Sequence, residues 1–469
     1  MKYLKLIITI LLPLLVVLVP TAYIPLNGIT VIEQRVIAIF LFAALSWILE
    51  PIPIYATSLV IILLESVMIS TKSLVFLKSN HSNYGQELAY QDILHTFASP
   101  IIILFLGGFF LAMAATKYRL DQNLARVLLA PFGRNPKFVM MGIMVITAVF
   151  SMFMSNTATT AMMLSILTPV LALFKSSDKG KIGLLLSVPI AANIGGIGTP
   201  IGTPPNAVAL KYLSGNNYIG FGEWMMFAVP FVIVLMAIAW LLLQKSYPAT
   251  QQEIELKVKG RFLKNPKAYT VYATFIITIL LWLTDFIHGM NSYVVALIPV
   301  TVFSITGIIN KSDLKNISWD VLWLVSGGIA LGYALDKTGL ATRLVQSIDF
   351  QSFSPYLIIA GAAIIAALMA NFMSNTATAN LLLPLMAVVG TSVASLSAFG
   401  GTQMIIIITT LACSMGMALP ISTPPNALAF GSGLISTKNM AKTGVVIASL
   451  GLLLSFGLIA ILQLSGFFK

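Results

Sequence analysis

The pentapeptide SNTAT occurs at residues 155–159 and again at 374–378, each time in the middle of a long apolar stretch. TPPNA is duplicated as well, at 203–207 and 423–427. Ser, Asn and Thr side chains cap helix starts, so each SNT predicts the end of one half-helix and the capped beginning of the next. In NIGGIGTPIGTPPNAVAL the glycines free the backbone, and Pro204 and Pro205 preset the first turn of a new helix. MALPISTPPNALAF repeats the pattern with Thr423, Pro424 and Pro425. Half-helix starts present unpaired N–H groups and a positive dipole end, which suit an anion. Carbonyls released from helical pairing, with Asn and Ser oxygens, suit a hard cation such as Na⁺. One SNT or one TPPN alone reads as an ordinary cap; two copies of each at matching positions read as a binding site.

What these segments lack is equally informative. Residues 145–173, 182–210, 361–387 and 404–437 contain no Asp, Glu, Lys, Arg or His. Proton coupling needs a titratable relay, so direct coupling through the motifs is disfavoured. A serine nucleophile at Ser155 would have no base to activate it, which argues against an enzyme. A buried dianion would instead rely on helix dipoles, hydroxyls, amides and bound cations. The single Cys413 excludes a disulfide framework, and His81, His95 and His288 are too scattered for metal-ligand spacing. Lys117 and Lys337 read as helix ends, Glu65 and Asp285 as internally paired groups, and the run MMGIMVITAVFSMFM as packing surface.

The elements that must position these motifs are transmembrane helices. The chain has 469 residues, of which 58% are hydrophobic and 9% charged. A soluble domain carries roughly 25% charged residues, so an all-α polytopic membrane protein is expected. Apolar segments fall at 4–20, 34–50, 54–70, 97–117, 138–174, 182–214, 221–244, 268–288, 293–309, 319–336, 354–389, 403–434 and 443–466. Lys2 and Lys5 precede the first, which could be a signal peptide; without a convincing cleavage site it reads as a retained helix. Segments 138–174 and 354–389 are too long for one span, and each is either two full spans or a re-entrant hairpin with SNT at its tip.

With the N-terminus inside, the predicted cytoplasmic stretches hold 20 of the 27 Lys and Arg residues. The formal charge of +12 thus reflects membrane sidedness, not a nucleic-acid patch. Gly107-Gly108 recur as Gly327-Gly328 and KYRL from Lys117 as KTGL from Lys337; with SNTAT and TPPNA, four landmarks recur in one order at a spacing of 219 or 220 residues. Five predicted crossings separate the copies, so the second is upside down relative to the first. Inverted repeats are a signature of secondary transporters, with substrate bound where the repeats meet. The expected organisation is an extra N-terminal transmembrane helix (1–30), a first inverted repeat (31–246), a cytoplasmic linker (247–267) and a second repeat (268–469).

In its paired SNT motifs, in GTPPN at 202–206 and STPPN at 422–426, and in FLGGFFLA at 105–112, the chain resembles the divalent anion/sodium symporter family. That family carries dicarboxylates, citrate and, in some branches, sulfate. The resemblance covers nearly the whole chain after the first helix. It implies about eleven transmembrane helices plus two re-entrant hairpins, with scaffold and transport domains working as an elevator in a plasma-membrane homodimer. It implies a C4–C5 dicarboxylate (succinate, malate, fumarate or 2-oxoglutarate) held by Ser155, Asn156, Thr157, Ser374, Asn375 and Thr376, with Thr203, Thr423 and Pro424 completing the pocket. It also implies Na⁺ as coupling ion, bound by Ser151, Ser155, Asn156 and the Gly202 carbonyl, with a symmetric site at Asn375 and the Ser422 carbonyl. This chain departs from symmetry where Ser151 corresponds to Ala370, which leaves the second cation site without a side-chain oxygen. Some members exchange dicarboxylates without sodium, and many of these carry a basic residue just after SNT; here Thr159 and Thr378 stand there. An inorganic oxyanion such as sulfate is the alternative substrate class.

Overall fold

The computed structural model of the chain describes residues 2–78, 83–171, 174–175, 178–254 and 261–468. His81 and residues 255–260 of the expected linker lie outside the described residues. The described residues form helices and connecting turns; an isolated bridge between Ser70 and Leu88 stands where a strand would otherwise be sought.

A first helix, α1 (Lys2–Leu18), precedes two series of elements. The first series is α2 (Val31–Leu49), α3 (Ile54–Met68), the short α4 (Tyr90–His95), α5 (Pro100–Lys117), α6 (Leu120–Leu129), α7 (Pro136–Phe153), α8 (Asn156–Leu171), α9 (Gly180–Gly196), α10 (Pro204–Leu210) and α11 (Phe221–Ser246). The second opens with α12 (Pro266–Leu283), the short α13 (Asp285–His288), α14 (Ser292–Val295) and α15 (Leu297–Ile305). It continues with α16 (Trp319–Lys337), α17 (Leu340–Gln346), α18 (Pro355–Phe372), α19 (Asn375–Ser392), the short α20 (Ala394–Ser397), α21 (Gly401–Cys413), α22 (Pro424–Gly431) and α23 (Thr437–Leu464). From α5 onward the order long helix, short helix, hairpin pair, broken helix, long helix is the same in both series.

Local sequence sets most boundaries. Pro100, Pro136, Pro204, Pro266, Pro355 and Pro424 open their helices, where a missing N–H costs nothing. Thr30 and Glu33 form a reciprocal capping box at the start of α2. Both long apolar segments break into two helices, at Met154-Ser155 and at Met373-Ser374, where the backbone turns extended. Seven of the helices, counting α4 and α5 as one continuous stretch, are long and apolar enough to cross a membrane; five shorter apolar helices accompany them among the described residues.

The stretch 117–137, expected only as a charged cytoplasmic connection, contains the amphipathic helix α6. Leu120, Asp121, Asn123, Ala125 and Leu129 are buried, so the helix packs against the protein despite the charges that dominate its sequence. At the start of this connection Lys117 reaches Asp313 at 2.5 Å.

Two apolar clusters organise the packing. The larger runs through α5, α7, α9, α11, α21 and α23. The smaller joins α2, α3 and α16 to Met373, Ala377 and Leu381 at the second hairpin. Small residues allow the closest approaches: a Cβ on Gly195 would sit 2.4 Å from Ala148 of α7, and one on Gly327 2.3 Å from Ser58 of α3. Gln34 of α2 holds α1 in place by donating to the carbonyls of Val16 at 2.6 Å and Val19 at 2.5 Å.

Candidate functional site

At the first tip, Ser155 caps α8 by accepting from the Ala158 N–H at 3.2 Å. At the second, Ser374 caps α19 in the same way from Ala377 at 3.1 Å. Both SNT serines are therefore used as the sequence predicts, and the Asn and Thr that follow form the first turn of each new helix.

The TPPN turns are braced by their asparagines. Asn206 donates to the carbonyls of Gly196, Ile197 and Thr199 at 3.2, 3.1 and 2.8 Å. Asn426 donates to Met417 and Leu419 at 2.8 and 2.9 Å, carbonyls at the matching positions of the second half. These side chains satisfy the backbone that unwinding exposes, and leaving such carbonyls unpaired in an apolar interior would cost several kcal/mol each. A hydroxyl also ties each unwound segment to its hairpin: Thr199 donates to the Met152 carbonyl, and Ser422 donates to the Asn371 carbonyl at 2.9 Å.

Oxygen atoms cluster behind the first tip. The Ser151 hydroxyl lies 2.5 Å from Asn156 Oδ1 and 2.7 Å from the Ala192 carbonyl. With one proton it can serve only one of these acceptors. The Gly202 carbonyl approaches the same spot, since a Cβ on Gly196 would meet both Asn156 Oδ1 at 2.6 Å and Gly202 O at 2.9 Å. An uncharged cluster of hydroxyl, amide and carbonyl oxygens fits a hard monovalent cation. Behind the second tip, Asn375 faces the carbonyls of Cys413 and Gly416 at 3.2 Å each. With its nitrogen toward them the amide donates to both, and with its oxygen toward them it joins a second all-oxygen cluster. Ala370 contributes only its carbonyl there, close to where a Cβ on Gly416 would sit. Among the described residues no group of three or more His, Cys, Asp or Glu side chains could hold a metal.

The two tips and the two TPPN turns line one cavity of about 390 Å³. Ser155, Asn156, Thr157, Thr203, Ser374, Asn375, Thr376, Thr423 and Pro424, all nine residues expected to hold substrate, are in its wall, as are Gly202 and Ser422. Ser151 sits one layer behind, fully buried. The apolar remainder includes Phe105, Phe109, Phe153 and Ile201, and among the lining residues there is no Lys, Arg or His. The cavity extends past Ile54 and Tyr55 at the start of α3 and Asp320 at the start of α16.

Sequence reading missed three contributors. Asn206 and Asn426 are visible as the N of each TPPN, but local sequence points to the motif's hydroxyls and prolines. Asn193, which also lines the cavity, had no signal, because its counterpart in the second half is Cys413 and the repeat hides it. Of the two acids expected to pair internally, Asp285 accepts from the Phe221 N–H at 3.2 Å and closes the start of α11. Glu65 is fully buried and neither carboxylate oxygen has a hydrogen-bond partner among the described residues; its internal partner is electrostatic, the Lys211 ammonium.

The sequence profile of the family described as "Sodium:sulfate symporter transmembrane region" matches residues 1–463. The chain belongs to this family, the divalent anion/sodium symporters. Its relatives include the sodium-dependent dicarboxylate transporter SdcS of Staphylococcus saprophyticus, 31% identical over 451 residues, with 87% of this chain and 82% of the relative covered. SdcS of Staphylococcus aureus strain USA300 is 32% identical over 453 residues with the same coverage. Among solved structures, the YdaH transporter of Alcanivorax borkumensis aligns with a TM-score of 0.54 at 11% identity, over 88% of this chain and 98% of that one. MtrF of Neisseria gonorrhoeae aligns at 0.52 and 11%, over 87% and 95%. These two likenesses concern the fold alone. Family and apolar helices together make this chain an integral membrane protein and a transporter.

Proposed function

We propose that this chain is a secondary active transporter that carries C4–C5 dicarboxylates such as succinate, malate, fumarate and 2-oxoglutarate, coupled to Na⁺. The observation that carries the reading is the convergence of both SNT tips and both TPPN turns on one cavity free of basic side chains. A dianion there meets the N-terminal ends of α8 and α19, two amides and several hydroxyls, and its second charge calls for bound cations. The oxygen cluster of Ser151, Asn156, Ala192 and Gly202 supplies a place for one, and sodium-dependent dicarboxylate transport is what the staphylococcal relatives are named for.

Residues 31–246 and 268–469 are the two inverted repeats in this reading, with an N-terminal helix before them and a cytoplasmic linker at 247–267. The Lys/Arg distribution supports a cytoplasmic N-terminus in the plasma membrane. The family pattern supports a homodimer and elevator-type movement of the hairpins and broken helices against a scaffold. In that orientation Ile54 and Asp320 lie at the cytoplasmic ends of α3 and α16, so the cavity opens inward.

The test is uptake of labelled succinate into liposomes, with and without a Na⁺ gradient and with and without dicarboxylate inside. Sodium-driven uptake into empty liposomes is expected. Uptake only into preloaded liposomes would replace symport by exchange, and competition by sulfate would replace the substrate class. No uptake under any of these conditions would end the proposal.

A further inference from the structure

Thr203 and Thr423 occupy matching positions in the cavity wall, yet their hydroxyls are held differently. Thr423 Oγ1 accepts from Asn193 Nδ2 at 3.2 Å and from the Asn426 N–H at 3.3 Å. A hydroxyl has two acceptor lone pairs and one proton, so both lone pairs are taken and only the proton remains to be given. Among the described residues no acceptor receives it. Thr423 lines the cavity, and the cavity is where a partner for that proton can sit.

A chain of constraints fixes this polarity. The carbonyls of Met417 and Leu419 hold the Asn426 amide with its nitrogen toward them. Asn426 Oδ1 must then face the other way, where it accepts from Asn193 Nδ2 at 3.1 Å. Asn193 therefore presents its NH₂, with one hydrogen for Asn426 and one for Thr423. All three side chains are at most 6% exposed, so water does not compete for these bonds. In the first half the chain of constraints is broken. The residue that would reach across to it is Cys413 where the other side has Asn193, and among the described residues buried Asn206 Oδ1 has no partner and Thr203 makes no side-chain cap bond.

We propose that Asn193 is a positioning residue for substrate: it turns Thr423 into a fixed hydrogen-bond donor to one carboxylate of the dianion, a role with no equivalent at Thr203. Asn193 belongs to the first repeat and Thr423 to the second, so the grip on that carboxylate is assembled only when α9 and the α22 turn are in contact. The inference rests on the dicarboxylate reading, and a charge-assisted O–H···O⁻ bond is the interaction it adds.

The test is the KM and maximal rate of succinate uptake for wild type, Asn193→Cys, Thr423→Val and the double variant. Cysteine is the residue this chain itself uses at the matching position. Asn193→Cys should raise KM about tenfold, with maximal rate and Na⁺ dependence within about twofold of wild type. The double variant should be no worse than Thr423→Val alone, because Asn193 acts through that hydroxyl. Asn193→Ser, which keeps one donor, should fall between wild type and Asn193→Cys, and it carries the same test if the cysteine variant does not fold. An unchanged KM, or a double variant whose loss is the product of the two single losses, would overturn the proposal. A wild-type protein that takes up no succinate would instead overturn the dicarboxylate reading beneath it.

Discussion

The two hairpin tips carry the same five residues and sit in different surroundings. Thr157 and Ala158 of the first tip are exposed, whereas Thr376 and Ala377 at the matching positions are buried. The second tip leans through Met373, Ala377 and Leu381 on the cluster built by α2, α3 and α16, and among the described residues none of α7 or α8 belongs to that cluster. Identical residues buried differently mean that this contrast comes from placement, not from local chemistry. One-sided access needs such a contrast, and in an alternating-access carrier it reverses when the other side opens. A second layer of difference is written in the chain and does not reverse. Ser151 faces Ala370 across the repeat, Asn193 faces Cys413, and Gly202 faces Ser422. The first half thus has the richer oxygen cluster, and the second half the oriented hydroxyl.

The largest effects should come where the halves agree. Asn156→Ala and Asn375→Ala should each reduce succinate uptake more than about 100-fold with thermal stability within a few degrees of wild type, since each removes a tip amide that the proposed reading places on the substrate. Near-normal uptake by either would remove that tip from the site.

Where the halves differ, the Na⁺ dependence should differ too. Ser151→Ala should raise the Na⁺ concentration for half-maximal uptake about tenfold through loss of one cation ligand. Ala370→Ser should lower it or leave it unchanged. A Ser151→Ala protein with wild-type Na⁺ dependence would move the cation away from the first tip.

Matched glycines probe placement. A Cβ on Gly328 would sit 1.9 Å from Asn380 Oδ1 of the second hairpin, whereas one on Gly108 would come only within 3.4 Å of Ile201 Cδ1. Gly328→Ala should therefore destabilise this arrangement by about 1–3 kcal/mol, and Gly108→Ala by much less. Thermal melts of the two variants in detergent check this, and equal shifts would contradict the unequal packing.

The smallest effect concerns the connection before α9. Burial alone would raise the Asp178 pKa, but the Thr250 hydroxyl and the N–H groups of Gly180, Thr250 and Gln251 outweigh it and hold the carboxyl below its ordinary value of 3.8. A lowered folded-state pKa stabilises the fold above that ordinary value, and the contribution fades as pH falls through the folded value. Asp178→Asn should lower the melting temperature by about 1–3 °C at pH 7, with the gap to wild type closing below about pH 4.

Much of this was legible in the residues. SNT and TPPN announced their own helix breaks, because caps and prolines act locally, and the repeat placed them opposite each other. Less legible was whatever depends on three-dimensional contact between the halves. Asn193 is an unremarked polar residue in an apolar helix until Thr423 and Asn426 are seen beside it. The helix α6 was hidden by its charges, and the unequal burial of two identical tips has no sequence correlate at all.

The most direct test of two tips gripping one dianion in an inward-open cavity is cysteine labelling in oriented membranes. Native Cys413 is fully buried and should give little background. Thr157→Cys should react with an impermeant thiol reagent from the cytoplasmic side, and succinate with Na⁺ should slow that reaction. Thr376→Cys should stay unreactive from that side. Equal labelling of the two positions, or labelling that succinate and Na⁺ leave untouched, would contradict the account.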